Sequence, residues 1–155
     1  DTGGRTLPLA EYDYGRLTAW FDTLTRLDPD AWHVPVLAAT YYGLTPVAAD
    51  ARMVIGWLHR YAMARPAARW RLLAQGVHLA RHQHADLPLA LTLARDLAAL
   101  DVAAMPIWTR QLPAQILAEM GDAAAARREI EAIERRFPDL PDAERHYHRE
   151  FLDNL

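Results

Sequence analysis

The sequence predicts an all-α fold: an α-solenoid of antiparallel helix pairs closed by a C-terminal capping helix. Three observations predict it. Ala and Leu, the strongest helix formers, dominate an apolar fraction of 52%. Apolar residues recur at i, i+4 and i+7, the spacing of one helix face. The whole pattern returns every 36–38 residues, and a period of that length marks a repeat architecture.

The period is visible first in Trp32, Trp70 and Trp108, each 38 residues apart. Small–x–x–large pairs keep step with them: Ala39 with Tyr42, Gly76 with Leu79, Ala114 with Leu117. A second series runs Leu17, Val54, Ala90 and Ala126. Its partners four and seven residues on are Phe21/Leu24, Leu58/Tyr61, Ala94/Leu97 and Ile130/Ile133. A third is Pro29, Pro66 and Pro138, with the intervening position near Val102 lacking its Pro. Each repeat is therefore a helix–turn–helix. The first helix carries a small residue that admits a close neighbour, the second carries an apolar stripe, and a Pro then turns the chain.

Taken in order, residues 1–11 contain Gly and Pro and read as an extended leader, followed by a single helical repeat domain over 12–155. A first helix is expected at 12–27. Others follow near 32–44, 50–64, 67–84, 87–100, 106–120, 122–137 and 141–153. Asp30, Asp50, Asp86 and Asp122 are candidate N-caps or first-turn acids. In the last helix Tyr147, Phe151 and Leu155 share one face, which suits a terminal cap.

These residues resemble the tetratricopeptide (TPR) family over roughly 12–140. The clearest copy is LAEMGDAAAARREIEAIERRFPD, Leu117 to Asp139, with Gly121-Asp122 at the inter-helix turn, Ala126 early in the second helix and Pro138 at the end. YGRLTAWFDTLTRLDPD resembles a second helix with the family's ending. The period exceeds the family's by a few residues, and Pro113 lies inside a first helix, so a TPR-like fold is expected rather than a strict member. The resemblance implies that first-helix residues line a partner-binding groove: His33, Thr40, Trp70, Val77, Arg81, Trp108, Gln111 and Gln115. It implies a non-catalytic scaffold or accessory subunit of a larger complex, holding a helix or extended segment of another protein. DYGRLTAWFDTLTRLDPD and DLPLALTLARDLAAL also resemble segments of small proteobacterial proteins with an N-terminal membrane anchor and a helical-repeat domain. That likeness points to the bacterial periplasm or a membrane-associated setting, with the cytoplasm as the alternative.

Composition narrows the chemistry. The chain contains no Cys, Ser or Lys, and all 17 basic charges are Arg. That removes Ser and Cys nucleophiles, Schiff-base and phosphate-loop lysines, disulfides and Cys-ligated zinc. No paired carboxylates or triad stand at recognisable spacing, so no enzyme activity is expected. The alternative to a scaffold is a small metal-binding protein. His78 and His82 are one helical turn apart, with His84 and Asp86 just beyond, a set that suits zinc or copper. His146 and His148, at i and i+2 between Glu144 and Glu150, are expected to point apart. Net charge is −3, distributed as −4 over residues 1–51, +5 over 52–110 and −4 over 111–155. The basic middle includes Arg60, Arg65, Arg69 and Arg71 around Trp57 and Trp70, but the last repeat is acidic, so nucleic acid is not the expected partner. The longest uncharged run, Ala31 to Ala49, is broken by Pro35, Gly43 and Pro46, so no transmembrane segment is expected in this chain. Asp at position 1 reads as a processed or trimmed start, which leaves room for an anchor upstream.

Overall fold

The computed structural model describes residues 8–155. Among them the chain is all-helical, with eight α-helices and no strands. It divides into two compact units, the first ending at Asp86 and the second spanning Leu87–Leu155. Most of the expected leader, residues 1–7, lies outside the described residues. Leu9–Glu11 form one 3-10 turn.

The first unit holds α1 (Tyr14–Leu27), α2 (His33–Thr40), α3 (Ala48–Met63) and α4 (Pro66–His78). Asp13 caps α1 by accepting the Arg16 N–H at 3.0 Å, which satisfies one of the helix's orphan donors. Asp50 lies in the first turn of α3, as expected. Asp30 does not cap α2. That helix starts at His33, too far along the chain, and the Asp30 carboxylate instead pairs with Arg65 at 3.0 Å. Pro66 opens α4 at its first turn, where a missing N–H costs nothing.

Helix α3 sits against α1, α2 and α4. Its inward face is Val54, Ile55, Trp57, Leu58 and Ala62, all buried. Phe21 of α1 meets the Trp57 ring at 5.0 Å, and Tyr61 stacks on the same indole at 5.0 Å. The buried indole donates its N–H to Asp22 Oδ1 at 2.8 Å, so the polar handle of the ring is satisfied as the core closes.

The expected helix over 32–44 breaks at Thr40, and Tyr42–Leu44 form a separate 3-10 turn. Gly43 explains the tightness there. A Cβ at that position would stand 2.6 Å from Leu79 Cδ1 and 3.0 Å from the Ala38 carbonyl. Leu79 belongs to a wider π-helical turn, Leu79–Gln83, that extends α4. The helix stops when Ala85 enters the left-handed region at φ 50° and the Asp86 N–H reaches back to the Ala80 carbonyl at 2.8 Å, one residue wider than a Schellman ending because the preceding turn is π-helical.

The second unit holds α5 (Leu87–Ala99), α6 (Trp108–Glu119), α7 (Ala123–Arg136) and α8 (Asp142–Asp153). Helix α6 packs on both α5 and α7. The α6–α7 turn follows the expected Gly-Asp chemistry. Gly121 adopts φ 81°, the Asp122 N–H bonds the Leu117 carbonyl, and Asp122 Oδ1 accepts the Ala125 N–H at 2.9 Å. Two apolar clusters fill the unit. Ala114, Ile130, Ile133 and Leu140 form one, and Leu117, Ala125 and Ala126 the other. Phe151 of α8 packs against both. Of the 36–37-residue series, Val54, Ala90 and Ala126 are buried, as are their partners Leu58, Ala94 and Ile130, whereas Leu17 and Tyr61 are half-buried and Leu24 is exposed.

Candidate protein-interaction surface

Helix α1 carries two apolar stripes. Tyr14, Leu17 and Phe21 turn inward, with Tyr14 and Phe21 buried. Trp20, Leu24 and Leu27, spaced i, i+4 and i+7, turn outward, and Trp20 is 64% and Leu27 79% exposed. Position Leu24, expected in the inward stripe, therefore belongs to the solvent side. Threonines and charged residues that complete the helix supply its polar face. Thr18, Thr23 and Thr25 bond back to carbonyls of the preceding turn.

A cleft of about 300 Å³ lies further along the first unit, lined by Pro29, Trp32, Pro35, Tyr61, Arg65 and Arg69 among others. Trp32 is 71% exposed. Arg69 is held rigidly there. It lies 3.7 Å over the Tyr61 ring and donates to the Tyr61 carbonyl at 3.0 Å and the Pro29 carbonyl at 2.8 Å. An exposed indole beside a fixed guanidinium is the combination found at interface anchors.

The expected groove residues scatter among three environments. Trp70, Val77 and Gln111 are buried, so their side chains face neighbouring helices instead of an open groove. Arg81 and Gln115 are half-buried. His33 and Thr40 are exposed in the first unit, and Trp108 is exposed in the second. In the second unit the face of α6 that bears Gln111 and Gln115 is taken by α8. Gln115 donates to the Tyr147 hydroxyl at 2.8 Å, and Gln111 enters a buried network.

That network was not visible in residue spacing. Gln111 donates one N–H to Glu144 Oε2 at 2.9 Å and the other to His148 Nε2 at 3.1 Å. With its Nε2 accepting, His148 carries its proton on Nδ1 and donates it to Glu134 Oε1 at 3.0 Å. His148 is fully buried, while His146 is exposed beside Glu150 at 3.3 Å. The two histidines do point apart.

The candidate metal ligands are only partly assembled. The His78 and His82 rings stand 4.9 Å apart. His84 turns away and donates through Nε2 to the Gly43 carbonyl at 2.7 Å. Asp86 is engaged by Arg52 Nε at 2.7 Å. Among the described residues no group of three or more His, Asp or Glu side chains is placed to hold one metal ion. Also among them, no helix is long and apolar enough to cross a membrane. Comparison with protein-family models, with curated proteins and with solved structures finds no match to this chain.

Proposed function

We propose that this chain is a non-catalytic protein-binding scaffold or accessory subunit, and that it docks a helix of its partner along the outward face of α1. The observation that carries the reading is the solvent-facing stripe of Trp20, Leu24 and Leu27. A helix at the surface of a folded unit ordinarily turns one apolar face inward and a polar face outward. Here three large apolar side chains at helical spacing remain in water. Such a stripe matches the i, i+4, i+7 anchors by which helices recognise one another. Trp32 and the fixed Arg69 supply a second contact of the kind favoured at interfaces. Because α1 is pinned by Phe21 and by the Asp22–Trp57 bond, its outward face is preorganised and little entropy is lost on docking.

The test is a native pull-down of the chain from its source cells, with cross-linking mass spectrometry, run in parallel with a Trp20→Glu/Leu27→Glu variant. The expected result is a stoichiometric partner that cross-links beside α1 and is lost from the variant. Both positions are exposed, so the variant should melt within a few degrees of the parent. A partner cross-linked elsewhere and retained by the variant moves the docking surface off α1. Absence of a stoichiometric partner under gentle extraction overturns the scaffold reading.

A further inference from the structure

The second unit contains a cleft whose chemistry differs from that of α1 and is independent of it. Three arginines reach it from three helices: Arg95 of α5, Arg110 of α6 and Arg136 of α7. Its volume is about 230 Å³, and its remaining lining is Ala98, Ala99, Pro113, Ala132, Ile133, Phe137 and the single carboxylate Glu129.

The guanidiniums are not equivalent. Arg110 is fixed, because Nη1 donates to the Ala98 carbonyl at 2.8 Å and the Leu100 carbonyl at 3.2 Å. Its guanidinium carbon lies 4.9 Å from the centre of the Phe137 ring, and that of Arg136 lies 5.3 Å from the same centre. Two cations therefore share one aromatic ring. Arg95 pairs with Glu129 at 3.4 Å, long for a charge-assisted bond. Arg136 has no carboxylate partner among the described residues. Burial and the neighbouring Arg136 charge both lower the pKa of Arg110, while Asp101 acts the other way. The lining thus carries three guanidiniums against one carboxylate, in a cleft whose floor is largely hydrocarbon.

We propose that this cleft binds a small amphiphilic carboxylate, with the carboxylate between Arg110 and Arg136 and the apolar body over Ile133 and Pro113, beside Ala132 at the rim. Guanidinium geometry matches a planar carboxylate, two N–H groups to two oxygens. An anion there would relieve the repulsion between the two arginines. The hydrocarbon floor selects against inorganic phosphate, whose outward oxygens would lose water without replacement. The volume lies below the range of drug-sized ligand sites, which restricts the body to one ring or a short acyl chain.

The experiment is calorimetric titration of the whole chain with benzoate and hexanoate, and with benzyl alcohol and inorganic phosphate as controls. Two variants accompany it. Arg136→Gln removes one charge from an exposed helix end, and Ala132→Phe, at the exposed rim, blocks the cleft with a ring without changing charge. The expected result is saturable binding of at least one carboxylate, about tenfold weaker in Arg136→Gln and lost in Ala132→Phe, with benzyl alcohol failing to bind. Carboxylate binding unchanged in both variants would place the ligand elsewhere and overturn the proposal. Phosphate binding as tightly as the carboxylates would overturn the assignment to an amphiphile. No saturable binding of either carboxylate in a folded chain would overturn the site.

Discussion

His148 shows how much a single side chain contributes when it is enclosed. It is fully buried and bonded at both ring nitrogens, to Glu134 and to Gln111. Replacing it by Ala opens a cavity and leaves one of the two Gln111 amide N–H groups without its acceptor, the other remaining on Glu144, two costs that add. His148→Ala is expected to lower stability by about 2–4 kcal/mol, read as a drop in the urea midpoint. Ala85 is a case of the opposite sign. A non-glycine residue at φ 50° carries left-handed strain, so Ala85→Gly should stabilise by about 0.5–1 kcal/mol in the same measurement, net of glycine's extra freedom when unfolded. A third prediction concerns Tyr14 and Tyr42. Burial raises both above their ordinary value of 10.0; a hydrogen bond with Thr45 partly opposes this at Tyr14, where Asp50 and neighbouring phenols add to it, and the phenols of Tyr12 and Tyr41 add to it at Tyr42. The folded state therefore resists their ionisation. Stability is whole below about pH 10 and falls as pH rises from there toward the folded values. Urea midpoints measured from about pH 8 to about pH 11 should decline over the upper part of that range, and less steeply in Tyr42→Phe. None of these environments was readable from spacing. His146 and His148 could be said to diverge, but not which would be enclosed, because Glu134 and Gln111 lie on other helices.

Elements were more legible. Eight helices were expected, and the ends of most agree within two residues, because an apolar stripe of period 3.6 persists through most of them, α2 being apolar nearly all round. Turn chemistry was legible where it is local. Gly121 and Asp122 close one helix and open the next. Asp122→Ala should cost about 1 kcal/mol, seen as a lower thermal midpoint, while substitution of the neighbouring exposed Ala124 by Glu should leave it nearly unchanged. Legibility ended where tertiary contact decides. The 32–44 segment breaks at Thr40 because Gly43 must meet Leu79, thirty-six residues later in the chain. The outward stripe of α1 was equally hidden. In sequence, Leu24 is indistinguishable from a core leucine, and only the packing of α3 shows that α1 is covered on one side alone. Helix α8 reverses that situation. Its polar side chains, Tyr147 and His148 among them, meet the glutamines of α6 that the family resemblance placed in an open groove.

At the scale of the molecule the 38-residue tryptophan period was real in sequence and misleading in environment. Trp32 is exposed, Trp70 is 5% exposed and Trp108 is 43% exposed. Trp32 immediately precedes α2, Trp70 lies a full turn inside α4 and Trp108 opens α6, so equal spacing in sequence does not give an equal place on the helix, and burial depends on what lies opposite. The distribution of exposed apolar residues is also lopsided. Among the large hydrophobic side chains that face solvent, all but Trp108 and Met120 belong to the first unit. The chain's surface chemistry is thus divided, with aromatic and aliphatic contacts before Asp86 and an arginine cleft after it.

That division has an optical consequence. Four of the five indoles, Trp20, Trp32, Trp57 and Trp70, precede Asp86. Intrinsic emission is therefore chiefly a signal from the first unit, while helical dichroism sums over both. Trp57 and Trp70 supply a blue, shielded component and Trp20 and Trp32 a red one open to acrylamide. A partner seated on α1 would move Trp20 from the second population to the first, so docking should register as a blue shift and a loss of quenching in the unlabelled protein.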